Sequence, residues 1–169
     1  METAFIDDVV DEVLSLHKQG SPSHKILAKL VSAAETVAGG DAVSSILILD
    51  KEGLLRNGAS PRLPYDYLTA IDGLKPNPHV GTCAAAAATG KMVLTPDFQA
   101  DDKWAELRHL PLALGFVGAW SMPIKNKQGV VLGTFGTYFR EIRKPSPDEV
   151  SSVKILARAA ALILSSDQK

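Results

Sequence analysis

Residues 117–139 read VGAWSMPIKNKQGVVLGTFGTYF, and the fold follows from how this stretch divides. Val117–Ile124 and Val130–Phe139 are dense in β-branched and aromatic residues, and the polar run Lys125–Gly129 between them is a turn. The second run is apolar on both alternations. Val130, Leu132, Thr134 and Tyr138 fall on one face, and Val131, Phe135 and Phe139 on the other. Strands with two apolar faces need cover on each side, so this pair belongs at the centre of an antiparallel sheet between two layers.

Working outward supplies the layers. Downstream, Ser146-Pro147-Asp148-Glu149 is a capping box with proline at the first helical position. Val150, Val153, Leu156, Ala157, Ala160, Ile163 and Leu164 then recur every three or four residues, which is one face of a helix. At the other end, residues 4–18 place Phe5, Ile6, Val9, Val10, Val13, Leu14 and Leu16 at helical spacing, and Gly20 ends the run. Ser21-Pro22 offers an N-cap and first-turn proline for a second helix burying Ile26, Leu27, Leu30, Val31, Ala34 and Val37, stopped by Gly39-Gly40.

The middle is more irregular. Ser45–Leu49 and Leu54–Ala59 form a hairpin across the turn 50–53. Residues 60–80 carry Pro61, Pro64, Pro76 and Pro78 around a short helix at Tyr65–Ile71. Gly81–Thr89 is an alanine-dense helix ended by Gly90, Met92–Leu94 a short strand, Asp97–Trp104 a polar loop, and Ala105–Leu114 a short helix. The expected fold is α+β, with helices from both chain ends on one sheet face and the middle segments over the other.

Composition excludes several functions. Across 169 residues the chain is 46% hydrophobic and 22% charged, with net charge −1, so it suits a single folded domain and lacks the basic surface that a phosphate backbone needs. Cys83 is the one cysteine, which leaves no internal disulfide and no cysteine-rich zinc site, and the four histidines have no ligand spacing. The acidic start METAFIDDVVDEV is unlike a secretory leader, and no stretch reaches the roughly 20 apolar residues of a membrane span. A cytoplasmic location, with no nucleic-acid or membrane contact, is expected.

The run Leu63-Pro64, Ala70-Ile71-Asp72-Gly73-Leu74, Gly81-Thr82-Cys83, Gly90-Lys91-x-Val93, Asp97, Asp101-x-x-Trp104, Gly115, Ala119-Trp120-Ser121-x-Pro123-Ile124 and Gly129-Val130-Val131-Leu132-Gly133-Thr134-Phe135 resembles a GAF domain. The order and spacing of these pieces over residues 20–165 carry the resemblance. It is similar to the GAF domains of bacterial sensor histidine kinases, diguanylate cyclases and related signalling proteins. The resemblance implies a PAS-like sheet of five or six antiparallel strands with a ligand cavity beneath the middle segments. It also implies a homodimer through terminal helices that lead to an effector. On that basis residues 1–20 are a signalling and dimerisation helix, residues 21–169 the GAF domain, and the chain part of a larger signalling protein, with a two-component sensor histidine kinase the expected host.

Specific GAF subtypes fit poorly. The cyclic-nucleotide signature Asn-Lys-x-Phe-Asp-Glu is absent, and the position where bilin-binding members place Cys-His reads Arg108-His109. Free-methionine sulfoxide reductases use more than one cysteine, and a single thiol cannot complete an internal disulfide cycle. The segment itself is expected not to be an enzyme. The ligand is an unidentified small molecule, and no cofactor is named.

The residues expected to contact that ligand are Tyr65, Tyr67, Cys83, Trp104, Arg108, Trp120 and Phe135. Each has a plainer reading. Cys83 opens a helix, where the dipole lowers a thiol's pKa, yet free cysteine is also a common buried filler. Ala84–Ala88 shapes a cavity or is simply a good helix. Trp104 and Trp120 are pocket walls or core, and of Tyr65, Tyr67 and Tyr138 at least one belongs at the surface. Arg108 binds an anion or pairs with Glu106 or Asp102. Asp97, Asp101 and Asp102 read as turn formers and caps. The function expected is a ligand-sensing domain; the alternatives are a ligand-free dimerisation module and a Cys83-dependent redox sensor or enzyme.

Overall fold

The computed structural model describes residues 2–39 and 41–167. Two helices, α1 (Glu2–Lys18) and α2 (Ser23–Ala38), precede the hairpin β1 (Val43–Leu49) and β2 (Leu55–Ala59). The middle holds α3 (Tyr65–Ile71), α4 (Cys83–Thr89), β3 (Val93–Thr95), two single-turn 3-10 helices at Phe98–Ala100 and Asp102–Trp104, and α5 (His109–Ala113). Strands β4 (Gly118–Lys125) and β5 (Val131–Phe139) and helix α6 (Pro147–Asp167) complete the chain. The strands form one antiparallel five-stranded sheet in the order β2-β1-β5-β4-β3, so β5 takes the centre, as its two apolar faces require. Among the described residues no helix is long and apolar enough to cross a membrane.

Three helices cover one face. Ile6 and Val13 of α1, Ile26, Leu30 and Val31 of α2, and Val153, Leu156 and Ile163 of α6 are buried in one cluster with Ile46, Met122, Ile124, Phe135 and Phe139 of the sheet. The apolar stripe of α1 is therefore used within the chain, against α2 and α6. The capping box of α6 forms as written: Ser146 Oγ accepts from Glu149 N–H at 3.1 Å, and Glu149 Oε1 accepts from Ser146 N–H at 3.2 Å. Arg143 reinforces it, donating to both Glu149 oxygens at 2.7 and 3.2 Å while its guanidinium lies 3.8 Å above the Phe139 ring.

Three expectations change. Pro22, not Ser21, occupies the N-cap of α2, and no side chain caps that helix. The Pro22 carbonyl starts the helical bonding, accepting from Lys25 N–H at 3.1 Å and Ile26 N–H at 3.3 Å. Gly39 closes the helix with φ 73°, while the other half of the expected Gly39-Gly40 stop lies outside the described residues. The second change concerns β5. Ile124 pairs with Gly133 but Lys125 pairs with Val131, so Leu132 is an extra residue in a β-bulge. The bulge reverses the alternation upstream of it. Leu132 joins Phe135 and Phe139 beneath the helices, while Val131 turns to the opposite face with Leu47, Leu55 and Ala84. Third, the helix expected over 105–114 is confined to His109–Ala113, and the loop before it contains the two 3-10 turns.

Candidate functional site

The face of the sheet opposite the helices is covered by the middle segments. Val43, Ala119 and Tyr138 from the strands pack with Leu63, Tyr67, Phe98, Trp104 and Phe116 in a second buried cluster. Between this cluster and α4 lies an apolar chamber of about 20 Å³, bordered by Tyr67, Cys83, Trp104, Trp120, Tyr138 and Leu47 among others. That volume admits about one water molecule.

Each wall is placed for a local reason. Pro64 caps α3 in an extended conformation, and Tyr67, one turn in, points at the sheet. Its phenol oxygen lies 2.7 Å from that of Tyr138, with the rings edge-to-face at 5.8 Å and 86°. Burial pushes both phenols well above their ordinary value near 10.0, so both stay neutral and share the bond. The roof beside α3 is set by two Asx caps. Asp97 Oδ1 accepts from Gln99 N–H and Asp101 Oδ1 from Lys103 N–H, each at 3.0 Å, which fixes the two 3-10 turns. Asp101 also takes the Lys103 ammonium at 2.8 Å. These caps aim Trp104 inward, where it packs against Phe98 with centroids 4.3 Å apart and the rings tilted by 49°, and donates from Nε1 to Thr82 Oγ1 at 2.8 Å. Thr82 Oγ1 in turn lies 2.9 Å from Thr95 Oγ1, so a short hydroxyl chain joins roof, α4 and β3.

Cys83 begins α4, against the middle of the sheet. Burial pushes its thiol up, outweighing the hydroxyls of Ser121 and Thr134 that act in the opposite direction. Ser121 Oγ donates to the sulfur at 3.4 Å. The direction is opposite to the dipole-lowered thiolate considered from the sequence, because desolvation by burial is the largest influence on this thiol. The sulfur fits only because Gly136 faces it: a Cβ there would lie 2.9 Å from Sγ.

Of the seven expected contact residues, the fold brings Tyr67, Cys83, Trp104 and Trp120 to the chamber. Trp120 borders it from β4 while its side chain belongs to the helix-side cluster with Met122 and Ile124, two and four residues on. The other three do not border it. Tyr65 is 80% exposed at the start of α3. Phe135 alternates to the helix side. Arg108 donates to the Gln99 carbonyl at 3.1 Å and the Trp104 carbonyl at 3.4 Å, so it staples the roof turns. Among the described residues it makes no ion pair with Glu106 or Asp102. The sequence reading left Thr82 and Leu47 unmarked. A hydroxyl directly before a helix facing the sheet was the one available signal for Thr82.

Comparison with known proteins agrees with this architecture. The GAF domain family matches residues 21–165, and the chain belongs to that family. The methyl sulfide methyltransferase-associated sensor of Methanosarcina acetivorans is 32% identical over 155 residues, which is 91% of this chain and 15% of that protein. The chain thus spans a small part of the length of this relative. Among solved structures, the GAF domain of a phosphoenolpyruvate-protein phosphotransferase from Coxiella burnetii superposes with TM-score 0.76 at 17% identity, covering 96% of this chain and 94% of that one. A domain of a two-component sensor histidine kinase protein from Sinorhizobium meliloti gives TM-score 0.70 at 19% identity, covering 88% and 92%.

Proposed function

We propose that this chain is the sensory module of a signal-transduction protein. In this reading residues 21–169 bind a small molecule between the sheet and the middle segments, and residues 1–20 form the helix that carries the response to a partner copy and an effector. A two-component sensor histidine kinase is the host we favour, in the cytoplasm, and the segment regulates without catalysing. The chamber carries the reading. It sits on the sheet face opposite the terminal helices, walled by Tyr67, Tyr138, Trp104 and Cys83, with Thr82 as its polar corner. The relative that shares 32% identity bears the name of a sensor, which supports the class.

At about 20 Å³ the chamber holds no metabolite as it stands, so binding requires the roof to lift. The roof is suited to that. It consists of α3, the two 3-10 turns and α5, held by side-chain caps instead of a strand ladder. A ligand that prefers the lifted roof shifts the population toward it, and the shared sheet transmits the change to the helices behind. The expected ligand is small and mostly apolar, with one group able to engage the Thr82 or Tyr67 hydroxyl.

The chamber's size favours a second reading, a permanently closed GAF module whose task is dimerisation. Native mass spectrometry of the protein as purified, combined with metabolite-induced shifts in melting temperature, separates the two. A bound small molecule, or a shift abolished by Trp104→Ala, supports sensing. An empty protein with no responsive metabolite supports the closed module.

A further inference from the structure

Behind the chamber, on the helix side, α6 leaves part of the sheet uncovered along the β3–β4 edge. A groove of about 450 Å³ runs there, floored by Met122 and Val150 and ringed by Lys91, Lys125, Lys154 and Arg158. It continues along α6 past Leu162, which is 48% exposed. Among the described residues none of the four cations pairs with a carboxylate. Four like charges around an apolar floor repel one another at close range and attract an acidic, partly apolar surface.

The chain displays such a surface itself. On α1, Asp7, Asp8, Asp11 and Glu12 are exposed on the side away from the buried Ile6 and Val13, and Phe5 at the edge of that face is 40% exposed. Among the described residues only Glu12 of the four is paired, with Lys29 at 3.2 Å. The four acids of α1 and the four cations of the groove thus lie on separate surfaces of the chain.

We infer that the groove beside α6 receives the acidic face of α1 from a second copy of this chain. The contact is reciprocal, so each dimer has two of them. This rests on the dimer reading above and assigns it a surface. Asp8 and Asp11 meet the Lys154 and Arg158 side, and Phe5 reaches the apolar floor. The pairing depends on salt and fixes which helix of one copy lies against which helix of the other.

The test is a charge swap read by analytical ultracentrifugation of the 169-residue chain. The wild type is expected to be a dimer that weakens as salt rises. K154E/R158E and D8K/D11K change only exposed positions and are each expected to raise the dimer dissociation constant about tenfold or more. An equimolar mixture of the two variants is expected to dimerise again, because the basic α1 then meets the acidic groove and the acidic α1 meets the basic groove. Circular dichroism melting of each variant checks that the fold is intact. A dimer unaffected by either pair of substitutions, or variants that stay monomeric when mixed, overturns this inference while leaving the dimer itself standing. A monomeric wild type overturns both.

Discussion

The phenol oxygens of Tyr67 and Tyr138 lie 2.7 Å apart, buried, and this one bond ties the roof helix α3 to the central strand β5 across 71 residues of sequence. Removing one hydroxyl leaves the other without a partner in an apolar setting. Tyr138→Phe is expected to cost about 1–3 kcal/mol of unfolding free energy. Tyr67→Phe/Tyr138→Phe is expected to cost less than the two single changes added together. Urea denaturation of the full double-mutant cycle measures the coupling, and strict additivity would count against the bond.

The same pair predicts alkaline sensitivity. Both folded-state pKa values lie above the ordinary value near 10.0, so above that pH the unfolded chain releases protons that the folded chain retains. Stability from these phenols is complete below pH 10 and falls as pH rises toward their folded values. Denaturation midpoints at pH 9 and pH 11 are expected to differ in that direction, with a smaller drop in Tyr67→Phe/Tyr138→Phe.

Gly136 and Cys83 form a second coupled pair. Gly136→Ala places a methyl 2.9 Å from the sulfur and is expected to destabilise by about 1–3 kcal/mol. Cys83→Ala removes the sulfur and should make Gly136→Ala nearly silent. Thermal unfolding of the single and double variants decides this; no rescue would mean that the glycine is needed for another reason.

The thiol also predicts chemistry. Burial holds Cys83 above its usual pKa of 9.0, so labelling by a disulfide reagent at pH 8 should be slow in the folded protein and fast in urea. Rapid labelling of the native protein would revive the redox reading.

Glu149 concentrates three interactions at the start of α6: the Ser146 N–H, and both donors of Arg143. It is 5% exposed, whereas the Arg143 side chain keeps 25% of its surface in solvent. Glu149→Ala is therefore expected to cost about 2–3 kcal/mol, below the range for a fully buried pair. Ser146→Ala, which removes only the cap, should cost about 1 kcal/mol. A smaller loss for Glu149→Ala than for Ser146→Ala would show that Arg143 contributes nothing.

The sequence alone determined the elements and their arrangement in layers. The two apolar alternations of β5, the Ser146–Glu149 box and the stripes of α2 and α6 are local patterns, and period and capping chemistry act locally. Asp97 and Asp101 as turn formers and caps were readable for the same reason, whereas Tyr67 and Trp104 were expected at a cavity through the family resemblance, with Trp104 equally readable as core. Tertiary structure alone decided that Leu132 faces the helices, because a single extra residue in β5 reverses the alternation upstream of it without altering composition, and that the Phe135 and Trp120 side chains lie on the helix side of the sheet. It also set Arg108 on backbone carbonyls, raised the Cys83 thiol and closed the chamber to about 20 Å³. Those outcomes depend on atoms that meet from distant parts of the chain, where burial and fit, not neighbouring residues, set the energy.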